Sequence, residues 1–362
     1  MRDLRISIAI MVSMLVCIGV VMIFSASGVY ALQEEGDSGY FLKRHLVFVM
    51  IGLVSAVIMM SFDYRELQKY AKPLLLMALA LLVLVLIPGI GREIHGARRW
   101  FRIGSFSFQP SEFTKLVMII YAADYLARKR NKIRDLTQGF MPLMGVLGVV
   151  CLLILKQPDL GTSLSIAFIL LIMFFVAGTN LAHLGLVCLL AIPAITLLIA
   201  RVPYRLRRIL AFLDPWQDSQ GIGFQLTQSQ IALGSGGLLG VGLGKSLQKL
   251  FYLPAAHTDF IFSIIGEELG LLGTMTIILL FVFLIWQGAR IAKRTQDPFG
   301  YYLSVGIVAM IGLQAVVNIG VSIGALPTKG LPLPFVSYGG SALIVNITAI
   351  GLLLNISRIE EL

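Results

Sequence analysis

Charged side chains are scarce in this chain: 13% of its 362 residues are Asp, Glu, Lys or Arg, while 57% are hydrophobic. Soluble domains carry nearer ~25% charged residues, so the composition excludes a water-soluble enzyme and indicates a polytopic membrane protein. At ~20 residues per span, about eight to eleven helices fit, with no room beside them for a soluble catalytic domain. Cysteine is equally sparse. Cys17, Cys151 and Cys188 all sit in apolar runs, and no spacing suggests a disulfide or zinc site. The four histidines, His45, His95, His183 and His257, are scattered, which argues against a haem or structural-metal protein. No internal repeat stands out either, so the inverted-repeat plan of many transporters lacks support.

What is present is a succession of long apolar stretches. The first follows Met1-Arg2-Asp3-Leu4-Arg5 and could pass for a secretory signal, with small residues at Ser25 to Gly28. Its length, from Ile6 to about Ala31, exceeds a signal core, and further spans follow. It is read as a retained helix. Ten stretches emerge, near residues 6–31, 45–61, 73–88, 111–127, 140–156, 161–178, 183–200, 260–287, 300–325 and 339–356. The expectation is an all-α membrane bundle of about ten helices, one domain over residues 1–362, with a long extracytoplasmic loop at about 201–259 between the seventh and eighth.

With the N-terminus inside, Lys and Arg divide evenly, 14 on each side with Lys115 in a span. Compact clusters near helix ends count most. Arg128 to Arg134 and Arg290 to Arg294 are such clusters and favour this orientation. The outside excess lies at Arg92, Arg98, Arg99 and Arg102, and at Arg201, Arg205, Arg207, Arg208, Lys245 and Lys249. Basic residues placed against the orientation rule fit either an anionic ligand at the outer face or lipid headgroups.

Several motifs have competing readings. Gly240-Val241-Gly242-Leu243-Gly244-Lys245-Ser246 resembles a phosphate loop but has Leu239 where the motif needs Gly, and no strand precedes it. Gly234 to Gly244 is read instead as backbone packing close to a helix or to lipid. In Gln109-Pro110-Ser111-Glu112, Pro110 suits a first helical position and Glu112 the positive end of the dipole. Glu112 and Lys115 share a face, either as a structural pair or as the lining of an intramembrane cavity. Leu331 to Gly340 cannot be helical through Pro332 and Pro334, and at membrane depth must be covered by protein or line a wet cavity. Asp159 reads as a turn or helix-cap acid, and Pro203 to Arg208 as an interfacial amphipathic start. Asp259 precedes the eighth span, where an acid either caps a helix or performs chemistry. Glu267 and Glu268 lie ~12–13 Å further along a helix, too far for the paired carboxylates of glycoside hydrolases. A transferase with a good leaving group needs only one base.

Five segments in order resemble the SEDS family of polytopic peptidoglycan polymerases, typified by RodA and FtsW. They are Gly104 to Lys115, Gln157 to Thr162, and Phe212 to Trp216 with Gln225 to Ser229. His257 to Phe262 with Gly266 to Gly270, and Gly330 to Gly340, complete the set. Gly89 to Glu93, Gly96 to Trp100, Leu243 to Leu250 and Pro327 to Pro332 are closer to the FtsW and sporulation branch.

The resemblance implies ten helices with both termini cytoplasmic in the bacterial inner membrane. It implies polymerisation of lipid II at the outer leaflet, by inverting glycosyl transfer with undecaprenyl pyrophosphate as leaving group. It places the essential acid at Asp259, as general base. Arg98, Arg99, Arg205, Lys245 and Lys249 become candidates for a pyrophosphate clamp, Glu112 and Lys115 for shaping a cavity, and His257 and Ser337 for substrate contact. A class B penicillin-binding protein is the implied transpeptidase partner, beside other division or elongation proteins. A divalent cation on Asp259 or on the pyrophosphate is left open as a cofactor, though no metal-ligand cluster argues for it. Two rival functions remain, a lipid II flippase and a non-catalytic scaffold of the division machinery.

Overall fold

The computed structural model describes residues 1–94, 96–104, 106–218, 221, 223–250 and 252–361, without the side chains of Ile94, Ile103, Tyr204 and Arg205. The helices, in chain order, are α1 (Arg2–Glu35), α2 (Tyr40–Ser61), α3 (Glu66–Leu84), α4 (Pro110–Arg128), α5 (Met141–Lys156), α6 (Leu160–Val176), α7 (Leu181–Ala200), α8 (Pro203–Leu213), α9 (Phe224–Ser235), α10 (Ile261–Arg294), α11 (Pro298–Ser322) and α12 (Gly340–Ile359). Each of the ten apolar stretches falls on one of them. Among the described residues, eight helices are long and apolar enough to cross a membrane: α1, α2, α3, α5 with its lead-in turn, α7, α10, α11 and α12. The other two differ for a physical reason. Helix α6 is apolar but has only 17 residues. Helix α4 carries Glu112, Lys115, Asp124 and Arg128, yet lies at the centre, packed on α3, α6, α11 and α12. Its charges are tolerated there because they pair within the helix, Lys115 with Glu112 at 2.9 Å and Arg128 with Asp124.

Two features add detail to the helical bundle. After α3, β1 (Arg92–Ile94), β2 (Ala97–Ile103) and β3 (Phe106–Phe108) form a three-stranded antiparallel sheet in the order β1-β2-β3. Strands this short, in which basic and aromatic residues mix, give too little alternation to be recognised. Ser341 of α12 anchors the sheet by accepting from the Gln109 N–H at 2.9 Å. The long 201–259 segment has structure of its own. It contains the amphipathic α8, and α9, which packs on α10 and α11 and whose Ser229 hydroxyl donates to the Ser322 carbonyl at 2.7 Å.

Helix α10 is broken. Gly270 has φ 66° and ψ −162°, so the helical ladder fails there. Freed backbone groups inside a membrane must find partners, and the glycine-rich segment supplies them. The Val241 and Gly242 N–H groups donate to the Glu267 and Glu268 carbonyls at 2.9 and 3.0 Å. The Leu271 and Leu272 N–H groups donate to the Gly237 and Leu238 carbonyls at 2.9 and 3.2 Å. The phosphate-loop look-alike is therefore a splint for a discontinuous helix, as the close-packing reading expected.

The segment between α11 and α12 is non-helical and enters the protein, with Leu331, Leu333, Phe335, Val336 and Ser337 all buried. It is covered by protein, as non-helical backbone at that depth requires. Both chain ends meet at the opposite end of the bundle, where Arg5 pairs with Glu361 at 3.4 Å and the Ser357 hydroxyl donates to the Met1 carbonyl at 3.3 Å. The basic end of α10 is there too, since the Gln296 N–H donates to Glu360 at 2.8 Å.

Candidate functional site

Asp259 sits in a tight turn immediately before α10. The Ala255 carbonyl accepts from the Thr258 and Asp259 N–H groups, both at 3.1 Å, and Ala255 itself holds φ 58°. A side-chain residue in the left-handed region is strained, so the turn is over-determined by its surroundings. One of those is Asn318 of α11, whose amide donates to the carbonyls of Asp259 and Leu331, each at 2.8 Å. The Tyr338 N–H donates to the His257 carbonyl at 3.0 Å. The acid-bearing turn and the non-helical segment before α12 are thus fastened together.

The Asp259 carboxylate lies against Gly330, so closely that a Cβ there would meet Oδ2 at 3.1 Å. Gly330 is part of the wall of a cavity of 380 Å³ bounded by β2, the start of α6, α8 and residues 327–330. Among the described residues, Arg99, Arg208 and Lys329 bring three cations to that wall against one lining carboxylate, Asp159. Arg99 is held by Nε donating to the Gln157 carbonyl at 2.9 Å and by a second bond to Pro158. Arg208 reaches the Thr328 carbonyl at 3.5 Å. The Lys329 stem packs on Gly161, whose added Cβ would meet its Cε at 3.2 Å. Asp159 caps α6 through the Thr162 N–H at 3.0 Å, so its cap and cavity positions coincide.

Burial pushes the Asp259 carboxyl up to about 6, against the pull of the Arg208 cation. Burial also lowers the Lys329 ammonium, which Asp159 only partly offsets. A cavity with surplus positive charge and a partly desolvated lysine is suited to an anion, because the ligand's charge would restore what burial removes.

The sequence candidates distribute unevenly around this cavity. Arg99 lines it. Arg98, its neighbour on β2, instead pairs with Glu93 at 2.9 Å, since adjacent strand residues face opposite ways. The side chain of Arg205 lies outside the described residues. Lys245 is exposed in the glycine-rich turn, with its stem over Gly242. Lys249 is buried against Glu268 at 2.8 Å and the Ser25 hydroxyl at 3.1 Å. Glu112 and Lys115 form a pair in the packed interior, with Lys115 at 0% exposure. The buried Ser337 hydroxyl accepts from the Leu333 N–H at 2.9 Å and so shapes its own turn. His257 belongs to an aromatic cluster, with its ring 4.6 Å from Phe41.

Sequence reasoning missed Lys329 and Asn318. Both carried a signal: a lysine just beyond the ninth span, and an asparagine within that span. Arg208 was counted among the outer basic residues but not singled out. Among the described residues, no three His, Cys, Asp or Glu side chains gather to hold a metal.

Comparison with known proteins gives one consistent result. The family model for FtsW, RodA and SpoVE, described as "Cell cycle protein", matches residues 5–362. The chain is 49% identical over 350 residues to the "Probable peptidoglycan glycosyltransferase FtsW" of Geobacter sulfurreducens, covering 97% of this chain and 94% of the relative. It is 45% identical over 351 residues to "Stage V sporulation protein E" of Bacillus subtilis, covering 97% and 96%. Among solved structures, it resembles a chain of one described as "Structural coordination of polymerization and crosslinking by a peptidoglycan synthase complex", with TM-score 0.79, 30% identity and coverage of 98% and 97%. The rod shape determining protein RodA of Thermus thermophilus is also similar, with TM-score 0.73, 30% identity and coverage of 97% and 95%.

Proposed function

Because this chain belongs to the FtsW/RodA/SpoVE family, we infer that it is a peptidoglycan glycosyltransferase, a polytopic membrane enzyme that joins lipid II disaccharides into glycan strands. The transfer is inverting, with undecaprenyl pyrophosphate as leaving group. The observation that carries the site assignment is the Asp259 carboxylate set against Gly330, in the wall of a cavity that Arg99, Arg208 and Lys329 make cationic.

In this reading Asp259 takes the proton from the acceptor 4-hydroxyl as that oxygen attacks the anomeric carbon of the donor. A carboxyl at about 6 is ionised at neutral pH, yet a stronger base than an ordinary aspartate. Arg99, Arg208 and Lys329 hold the diphosphate and stabilise its growing charge. They take the clamp role that the sequence distributed over Arg98, Arg205, Lys245 and Lys249 as well. A divalent cation on the diphosphate, if one takes part, would be held from the protein side by Asp259. The chain termini and the basic end of α10 occupy the cytoplasmic end, by the weighting of short basic clusters, and the cationic cavity opens at the outer leaflet. A class B penicillin-binding protein is the proposed transpeptidase partner.

The test is co-reconstitution with that partner, its transpeptidase serine disabled, and fluorescent lipid II as substrate. Glycan ladders on a gel are the expected product. A verified complex that makes none would favour a flippase or a scaffold instead. In the same assay Lys329→Gln is expected to reduce the rate by about 10²-fold, the usual effect of removing one charge-stabilising donor, and Lys329→Arg to retain part of it. A Lys329→Gln enzyme at wild-type rate would remove this lysine from the clamp.

A further inference from the structure

A second cavity, of 420 Å³, opens against the Asp259 turn from the α1 side. Tyr30 of α1, Lys249, Pro254, His257 and Thr258 are in its wall. Thr258 lines this cavity, and Asp259, next in the chain, touches Gly330 in the wall of the cationic one. The turn that carries Asp259 therefore borders both spaces.

Their chemistry differs. The charge of Lys249 is matched by Glu268 at 2.8 Å, so it offers little to a second anion. Burial holds the His257 imidazole down at about 4, so at neutral pH the ring is uncharged and presents one donor and one acceptor nitrogen. Tyr30 and His257 stand 5.8 Å apart, tilted by 30°. Phe41 at 4.6 Å and Tyr338 at 5.9 Å fix the imidazole. The result is a neutral space with Tyr30 as its aromatic face and Thr258 and His257 as its polar residues, within the ~300–1,000 Å³ of small-ligand sites. A diphosphate would gain nothing there. A pyranose ring fits it, because its C–H faces lie on aromatic rings while its hydroxyls reach polar groups.

We propose that this cavity seats the terminal N-acetylglucosamine ring of the acceptor substrate, with its 4-hydroxyl directed at Asp259. The inference rests on the polymerase reading above. The acceptor O4–C1 bond forms as the C1–diphosphate bond breaks. The electron pair of the broken bond leaves on the diphosphate oxygen, and the O4 proton passes to Asp259. Inversion requires nucleophile and leaving group on opposite faces of the anomeric carbon. A neutral and a cationic cavity, both bordered by the turn that carries the base, would hold the acceptor and the diphosphate apart in that way.

The test is a single-coupling assay in the complex reconstituted with its transpeptidase partner. Labelled lipid II blocked at its 4-hydroxyl acts only as donor, and unlabelled lipid II is titrated as acceptor. Tyr30→Ala is expected to raise the half-saturating acceptor concentration about tenfold, equivalent to ~1.4 kcal/mol, with maximal rate and donor dependence unchanged. Tyr30→Phe, which keeps the ring, should raise it less than Tyr30→Ala does. Tyr30 is 38% exposed, so neither variant disturbs packing in the core. An unchanged acceptor dependence in Tyr30→Ala overturns the cavity assignment alone, as does a loss confined to maximal rate or a Tyr30→Phe as impaired as Tyr30→Ala. Absence of coupled product from the wild-type complex overturns the polymerase reading and this inference with it.

Discussion

In the co-reconstituted complex, Asp259→Asn is expected to cut glycan synthesis by about 10²–10⁴-fold, the usual contribution of a positioned general base, while raising the apparent melting temperature. The two effects have one cause. The Asp259 carboxyl titrates at about 6 in the folded protein instead of its ordinary 3.8, so folding favours its protonated form. That stabilising preference is fully present below 3.8 and is lost as pH rises through 6. At pH 7.5 the ionised group is therefore a cost to folding. At 1.36 kcal/mol per pKa unit the limit is ~3 kcal/mol, and access to the cavity reduces the expected gain for Asn to about 1–2 kcal/mol. The catalytic sign is opposite, because the base acts only when ionised. The wild-type rate should rise with pH along a limb centred near 6 and level off above it, a limb that Asp259→Asn would lack. Thermal melts and a pH–rate profile check both halves. A variant that is inactive and also less stable would mark Asp259 as structural.

How much of this was legible in the sequence depends on whether a feature is local. The ten helices were legible because a run of about 20 apolar residues has one outcome in a bilayer. The Glu112–Lys115 pair was legible because partners three apart on a helix meet without help from the rest of the chain. The cationic cavity was not. Arg99 on β2, Arg208 on α8 and Lys329 between α11 and α12 are far apart in the chain, and only the fold selects them from its many basic residues. Arg98 and Arg99 show the limit most sharply: identical neighbours in sequence, they are separated by strand alternation into a surface pair and a cavity wall. The break in α10 was hidden for the same reason. Gly266-Glu267-Glu268-Leu269-Gly270 reads as helix, and the segment that lets it break, Gly236 to Gly242, lies about thirty residues earlier.

That break supports a second large effect: Gly270→Ala is expected to lower stability by about 4 kcal/mol or more. The φ and ψ of Gly270 lie in a region essentially closed to residues with a Cβ, a strain of about 1–3 kcal/mol by itself. An added Cβ would also collide with the Gly240 nitrogen and sit 2.6 Å from the Leu238 carbonyl oxygen. Both are backbone atoms and cannot turn aside. The splint would have to move away, weakening hydrogen bonds of about 0.5–1.5 kcal/mol each. Nor would the damage stop there, because Ser246 and Lys249 on the same segment bond Glu267 and Glu268. That bonding holds the first turns of α10 beneath Asp259. In detergent the apparent melting temperature should fall by roughly 8 °C or more, at ~2 °C per kcal/mol for a chain this large, and polymerisation should fall with it. Gly148→Ala is the control, since its Cβ would meet nothing within 4 Å. In the middle of α5 that change should stabilise by up to about 1 kcal/mol. If both variants melted alike, α10 would have to run unbroken through Gly270, and the glycine-rich segment would lose its role in positioning the base.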